Sequence, residues 1–513
     1  MAIVSTQQNT VIAKPISGDY RIDVLLDDAS TRWNRSAPVG SPVEVTYSFM
    51  TSAPTYTAAE HKNGFAEFTV SQKVAAREIF SLLGQQLNIS FREVLDFTSS
   101  YGQIRLGNND QGDDSAGYAM LPDADYGDDQ GDVYINNIAS NRHAVTPGTY
   151  AYGTLVHEIA HALGLKHPGN YNGTSNNASL EPGNYLAASE DSEANSIMSY
   201  ISTPQQQQRV FLGMFDLLAL QYLYGARAYA TKDNQYSYSN STGDLHVLIN
   251  DNGGTDTIDA SSVSIGATVD LRDGSFSSIG VAFDGSAAVG NVSIMIGSVI
   301  ENAIGTVAND RMIGNAVGNV FSPGRGNDTI DGGLGHDTVI VGAERGNFVM
   351  SRNGTSVTAT DNSGAFGSKV ITGVERIKFS DAVIAFDTDG VAGQAYRLYQ
   401  AAFDRTPDAG GLGYWIDYLE EGASLVDAAA GFFNSAEFKG LYGASPSNAD
   451  LVTRFYQNVL HRAPGQSEVD WWTTELSRGM SATQALVNFS ASPENQAQVI
   501  GVIQNGMEFI PVA

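Results

Sequence analysis

Residues 154–169 read TLVHEIAHALGLKHPG and carry three of the chain's eight histidines, His157, His161 and His167. Residues four apart share one face of an α-helix, so His157 and His161 can point at the same ion. Zinc takes imidazole nitrogens in a tetrahedral site and, when catalytic, keeps one position for water. Glu158 follows the first of these histidines, where a general base acting on that water has to stand. His167 lies six residues past His161, and a continuing helix would carry it to roughly the opposite face at ~3.6 residues per turn. Gly164 resolves this, because glycine takes the left-handed conformation that ends a helix and turns the chain back. The spacing therefore predicts one catalytic zinc on His157, His161 and His167.

An amphipathic helix with a few surface histidines is the alternative for H-E-x-x-H alone. The added glycine and third histidine argue against it. The longer pattern is the metzincin signature, which implies a methionine-containing turn beneath the zinc. Ser196-Ile197-Met198-Ser199-Tyr200 supplies one, about 30 residues after His167. Taken singly, Met198 reads as a core methionine and Tyr200 as a buried tyrosine. Together with His157–Pro168 they resemble the serralysins, secreted bacterial metzincins. Three further stretches extend the resemblance. IDVLLDDASTRWN (22–34), followed by Thr46–Phe49, is similar to the family's start. FDLLALQYLYG (215–225) is similar to the helix that closes its catalytic domain. Asn291–Asp310 is similar to the beginning of its calcium-binding roll. Residues 18–385 are covered, while the last 120 or so are not typical of the family.

The resemblance implies a role for each residue. Glu158 is the catalytic general base. Tyr200 is an additional zinc ligand that swings away and hydrogen-bonds the developing oxyanion. Met198 forms the floor and carries no chemistry. The segment Gly117, Tyr118, Ala119, Met120, Leu121 is a candidate edge strand, to which substrate adds as an extended strand; a plain interior strand is the other reading. Asp110, Asp113 and Asp114 before it, and Asp123, Asp125, Asp128 and Asp129 after it, read as solvated loop charges or as a preference for cationic substrates.

A length of 513 residues suits two to four domains, and 42% hydrophobic residues can build real cores. The formal charge of −28 argues against nucleic acid or anionic membrane as a partner and suits calcium ligation. Cysteine is absent, so bound metal, not disulfides, is the expected staple. No stretch approaches the roughly 20 apolar residues of a membrane helix. Residues 1–17 lack the basic and apolar regions of a signal peptide and read as a removable leader. That alone indicates a cytoplasmic protein. The resemblance reverses it, implying export in one step through a type I secretion apparatus that reads the C-terminal end, Met507–Ala513.

In chain order, Val43–Phe49 alternates like a strand, and Thr69–Leu87 reads as an amphipathic helix behind a threonine cap. Strand candidates follow at 89–94, 103–106, 116–121 and 132–135. Residues 170–195 are Asn/Ser-rich and read as a loop in the cleft wall, and 211–225 as a helix stopped by Gly225.

From about Ser239 the texture turns to Gly, Asn, Asp and Ser. Four nine-residue units run without a gap: 305–313, 314–322, 323–331 and 332–340. The fourth, GGLGHDTVI, fits the repeats-in-toxin pattern G-G-x-G-x-D-x-U-x. Two units make one coil of a parallel β-roll. Units two apart stack on one side, so Asp310 and Asp328 share one row of calcium sites and Asn319 and Asp337 the other. Glycine carbonyls and the sixth-position aspartate are the expected ligands: Gly305, Asp310, Gly324, Gly326, Asp328, Gly333, Gly335 and Asp337. Asn319, Thr306 and Ala308 depart from the pattern, which predicts fewer or weaker ions there. An outlying unit, 251–259, adds Asp251, Gly253 and Asp256, and Glu301 is a further ligand candidate. A flexible Gly/Asn-rich loop is excluded by the recurring apolar eighth positions Met312, Phe321, Ile330 and Val339. Residues 348–386 read as antiparallel strands with an Asn353-Gly354 turn, similar to the sandwich that caps such rolls.

The last 120 residues repeat at an offset of 57. Arg405, Pro407, Trp415, Gly422 and Ser424 recur as Arg462, Pro464, Trp472, Gly479 and Ser481. Each copy reads as helix, Pro-containing loop, helix and short helix. It resembles a helical domain of unassigned function in bacterial surface-layer and exported proteins. Trp415 and Trp472 read as core residues, with ligand-binding aromatics as the alternative.

The expected architecture is multidomain: a leader (1–17), an α+β metzincin protease domain (18–238), a parallel β-roll and capping β-sandwich that binds calcium (239–388), and a mainly α-helical repeat domain ending in a secretion signal (389–513). The expected function is a secreted zinc endopeptidase with protein substrates, one zinc and several calcium ions. Two alternatives stand beside it: a processing protease associated with a surface layer, and a surface-binding protein whose C-terminal domain carries the main role.

Overall fold

The computed structural model describes residues 17–27, 31–113, 115–169, 171 and 185–512. The expected leader and much of the 170–195 loop lie outside the described residues, as does Asp114. Two compact units divide the chain, Met1–Ala308 and Asn309–Ala513.

In the first unit, a five-stranded sheet has the order Ile89–Glu93, Val43–Phe49, Ile104–Asn109, Val133–Asn136, Gly117–Ala119. The first four strands run parallel and the last antiparallel. Val45, Tyr47 and Phe49, alternate residues of one strand, face the core. Helix Val70–Gln86 covers that face. Thr69 caps it, its hydroxyl accepting from Gln72 N while Gln72 Oε1 accepts from Thr69 N. Its buried residues Ala75, Ala76, Ile79, Phe80 and Leu83 recur at helical spacing, and Phe80 stacks on Tyr47. The second core helix, Tyr150–Ala162, carries His157, Glu158 and His161. Among the described residues, the Gly117–Ala119 strand ends the sheet with one strand neighbour, and Met120 and Leu121 continue past it.

The expected boundary at 238/239 is not a structural seam. Gln208–Arg209 pairs in parallel with Leu245–His246, and Gln235–Ser239 pairs with Thr257–Ser262. Roll strands thus begin before Ser239, and a parallel ladder has no hydrophobic boundary there. The other division, at 308/309, falls inside the expected roll.

The second unit holds two parallel ladders. Strands 311–313, 328–331 and 368–372 form one, and 320–322, 338–340 and 376–378 the other. Met312, Phe321, Ile330 and Val339 are all buried, which is why the eighth position of each nine-residue unit is apolar. Phe348–Asn353 and Ser356–Asp361 form a hairpin turned at Gly354 (φ +62°), as Asn-Gly predicts. The 348–386 region is mixed, however, not purely antiparallel: 368–372 and 376–378 each extend a roll ladder in parallel. The helical region repeats at an offset of 57 in structure as in sequence, with helices starting at Val391, Ala409, Leu425 and Ala436, then at Asn448, Gln466, Ala482 and Pro493. Each copy has four helices, one more than the sequence pattern suggested. Trp415 and Trp472 pack on Phe432 and Phe489 as core residues. Met507–Phe509 pairs antiparallel to Val383–Ala385 with Met507 and Phe509 buried.

Candidate metal centre

Helix Tyr150–Ala162 places His157 and His161 one turn apart, and Gly164 (φ +105°) turns the chain so that His167 faces them. A Cβ on Gly164 would lie 2.4 Å from Thr31 O, so no other residue fits. The N-terminal stretch holds this turn. Lys166 N donates to Leu25 O at 2.8 Å, and Leu26 bridges Leu165. Trp33 Nε1 donates to Ala162 O (2.9 Å) and Tyr224 Oη to Leu163 O (2.8 Å), satisfying carbonyls at the helix end. Leu25, Leu26, Trp33 and Tyr224 therefore fix the turn that carries the third histidine.

The Nε2 atoms of His157 and His161 each stand 3.1 Å from His167 Nε2. Three nitrogens on one tetrahedral zinc at ~2.0–2.1 Å lie about 3.3 Å apart, so this set fits the ion. His157 Nδ1 donates to Ile197 O and His161 Nδ1 to Leu165 O, each at 2.7 Å. Those bonds put the ring proton on Nδ1 and leave Nε2 as a ligand lone pair. Burial lowers His157 to about 4 and His161 to about 3, and it holds His167 lower still, so all three are neutral and ready for metal at neutral pH. Among the described residues, this is the group of His and acidic side chains whose ligand atoms meet within 4.8 Å.

Glu158 is buried, its Oε2 has no hydrogen-bond partner, and burial raises it to about 8. Gly117 of the edge strand lies against it; a Cβ there would come 2.9 Å from Glu158 Cγ. Tyr200 is 44% exposed, with its ring 4.4 Å from that of His167. Met198 is fully buried below. A cavity of about 320 Å³ opens on these groups, lined by Gly117, Tyr150, Thr154, His157, Glu158, Glu193, Tyr200 and Arg209.

Sequence reasoning missed the residues that shape the turn under the site. Asp216 accepts from Ser196 Oγ (2.5 Å), Ile197 N (2.7 Å) and Gly213 N (2.7 Å), clamping the Met198 turn to helix Met214–Tyr224. Buried Arg209 donates to the carbonyls of Glu193, Ala194 and Leu212. Tyr118 Oη meets His61 Nδ1 at 2.6 Å and accepts from Asn109 Nδ2 at 2.5 Å, fixing the edge strand. Of these, Asp216 had a signal in its place in the 215–225 stretch and Tyr118 in the candidate edge strand; Arg209, His61 and Asn109 had none.

The calcium candidates fall into three groups. Asp256 N donates to Glu301 Oε2 (2.7 Å), and Asp256 Oδ2 is buried with no hydrogen-bond partner. Asp251 lies nearby, receiving Tyr236 Oη, and Gly253 (φ +138°) donates to it at 2.9 Å. Asp337 repeats the Asp256 geometry: its N donates to Glu375 Oε2 (2.8 Å), and its Oδ2 is buried and unpartnered. Burial raises Asp256 to about 6 and Asp337 to about 7. An orphaned buried carboxylate oxygen beside a second carboxylate fits a hard cation. Gly333 and Gly335 hold positive φ beside the Asp337 group, and Gly324 and Gly326 beside Asp328. Asp310 and Asp328 do stack, Asp310 N donating to Asp328 Oδ1 at 2.9 Å. Asp328 differs, however, in that its Oδ2 is already paired with Lys369 Nζ. Gly305 is buried and has no positive φ.

Residues 108–213 match a family model described as metallo-peptidase family M12B, reprolysin-like, and residues 219–382 one described as peptidase M10 serralysin C terminal. Residues 393–442 and 429–499 match a domain of unknown function, DUF4214. Metallopeptidase AprA of Pseudomonas marginalis is 34% identical over 306 residues, 54% of this chain and 61% of that protein. Metalloprotease AprA of Pseudomonas entomophila is 32% identical over 59% of this chain and 65% of its own length. Serralysin of Proteus mirabilis is 34% identical over 56% and 63%. The chain spans less than two thirds of the length of each of these relatives. Taken with the histidine cluster and its Met198 turn, these matches support a serralysin-type metzincin.

Proposed function

We propose that the chain is a zinc-dependent endopeptidase, stabilised by calcium in its roll, that acts on extracellular proteins after export. The observation that carries this reading is the convergence of three Nε2 atoms beside buried Glu158, whose Oε2 has no hydrogen-bond partner, at the floor of a cleft. His157, His161 and His167 hold the zinc, which when bound supplies Lewis acidity toward water and the peptide carbonyl. Substrate lies along the Gly117–Ala119 edge in extended form, so main-chain hydrogen bonds give affinity with little sequence choice. Glu158 takes a proton from the attacking water and delivers it to the leaving amine. Tyr200, at the cleft rim, donates a hydrogen bond to the oxyanion. Asp256 with Glu301, and Asp337 with Glu375, take up calcium.

The test is casein hydrolysis by the purified protein with zinc and calcium, beside its Glu158→Ala variant, with metal content measured on both. The expected result is cutting by the wild type only and about one zinc in each. If neither cuts while zinc is bound, the broad endopeptidase reading fails and a narrowly specific processing protease takes its place.

A further inference from the structure

The two ladders of the second unit end on opposite charges. In one, Asn319, Asp337 and Glu375 occupy successive equivalent positions; in the other, Asp310, Asp328 and Lys369 do. Lys369 pairs directly with Asp328 in the strand register, so it sits where the next coil of the roll would bring another aspartate. Its side chain is fully buried. Nζ donates to Asp328 Oδ2 at 2.5 Å, Phe366 O at 2.7 Å and Gly326 O at 2.9 Å. One carboxylate oxygen and two backbone carbonyls are the ligand types a calcium ion takes in such a turn. All three donors of the ammonium are thereby used. A buried ammonium is tolerated only when it is paired and fully hydrogen-bonded, and this one is.

We infer that the Lys369 ammonium is a tethered cation that replaces calcium at the Gly326–Phe366–Asp328 position. An ion there would have to expel a buried ammonium that already satisfies the same oxygens. Calcium dependence in this unit then resides in the Asn319–Asp337–Glu375 row, where Asp337 Oδ2 has no partner. The Asp328 end of the other row keeps its closure without added ion. This inference rests on the reading that the roll takes up calcium.

Counting bound calcium by equilibrium dialysis on the full chain tests it. Lys369→Met removes the charge and keeps an unbranched apolar stem, and the variant is expected to bind one calcium more than the wild type. The double variant Lys369→Met/Asp328→Asn is expected to return to the wild-type number. An equal, nonzero count in wild type and Lys369→Met overturns the Lys369 inference alone. A count of zero in both overturns the calcium reading and this inference with it. Should Lys369→Met fail to fold, wild-type crystals soaked in terbium decide the matter. Anomalous density is expected at Asp337 and Glu375 and not at Asp328. A peak bonded to Asp328 with Lys369 displaced overturns the inference.

Discussion

The histidine centre and the carboxylate groups of the roll both gather ligand atoms around a point, but with opposite electrostatics. The centre uses neutral imidazoles. Ile197 O and Leu165 O orient two of them, and burial keeps all three uncharged. Without an ion the arrangement brings Nε2 lone pairs together but gathers no net charge. The roll instead buries carboxylates beside carboxylates, Asp256 against Glu301 and Asp337 against Glu375. Burial, and to a smaller degree the neighbouring carboxylate, raises Asp256 and Asp337 above the usual carboxylate range, so each resists ionisation in the absence of a cation. The first site is therefore built by the fold and lends metal to chemistry. On the proposed reading, the second is completed by calcium and lends stability to the fold.

The largest effect that would sharpen this contrast is His161→Ala. It should remove zinc at stoichiometric concentration and lower peptide hydrolysis by ~10³-fold or more, while the calcium-loaded melting temperature stays near that of the wild type; plasma emission and calorimetry read both. Asp337→Asn should do the converse. It is expected to lose calcium and about 2.7 kcal/mol of stability when calcium is held at ~100 times its Kd, with zinc content unchanged. A variant that loses zinc as well would break the comparison. Asp216→Ala should cost about 3 kcal/mol, because it strands the N–H groups of Ile197 and Gly213 in the interior. It links the two behaviours, since it destabilises the fold by loosening the turn beneath the zinc. Chemical denaturation with and without zinc checks it. Gly117→Ala is the smallest change. Its methyl group presses on Glu158, so a ~10-fold loss in kcat is expected with an unaltered melting temperature.

The histidine centre was legible in the sequence because a metal on three imidazoles demands fixed spacing on one helix and one turn. Gly164 shows this most plainly: its left-handed conformation was required by the position of His167 before any fold was known. The roll's periodicity was legible through Met312, Phe321, Ile330 and Val339, which must all be buried. Asp216 was legible only as part of 215–225, and its reach back to Ser196 and Ile197 was not; Arg209 was not legible, because its partners Glu193 O and Ala194 O are distant in sequence. Glu375 and Lys369 escaped for a related reason. The nine-residue rhythm stops at Ile340 and a hairpin intervenes, yet the ladders resume in register at 368–372 and 376–378. Strand pairing, not sequence period, decides which side chains stand in a row. The helical copies were legible because the offset of 57 is shared by sequence and helix starts. The fourth helix of each copy was missed since Ser435 and Ser492, the caps that separate it from the third helix, lie within one or two residues of that helix's last turn.

The central claim is that His157, His161 and His167 hold a zinc ion through Nε2. Diffraction recorded above and below the zinc absorption edge tests it most directly. The account predicts a single strong anomalous peak bonded to all three Nε2 atoms, with Glu158 close by and unbound. A peak bonded to only two of them, or none in protein that hydrolyses casein, would contradict it.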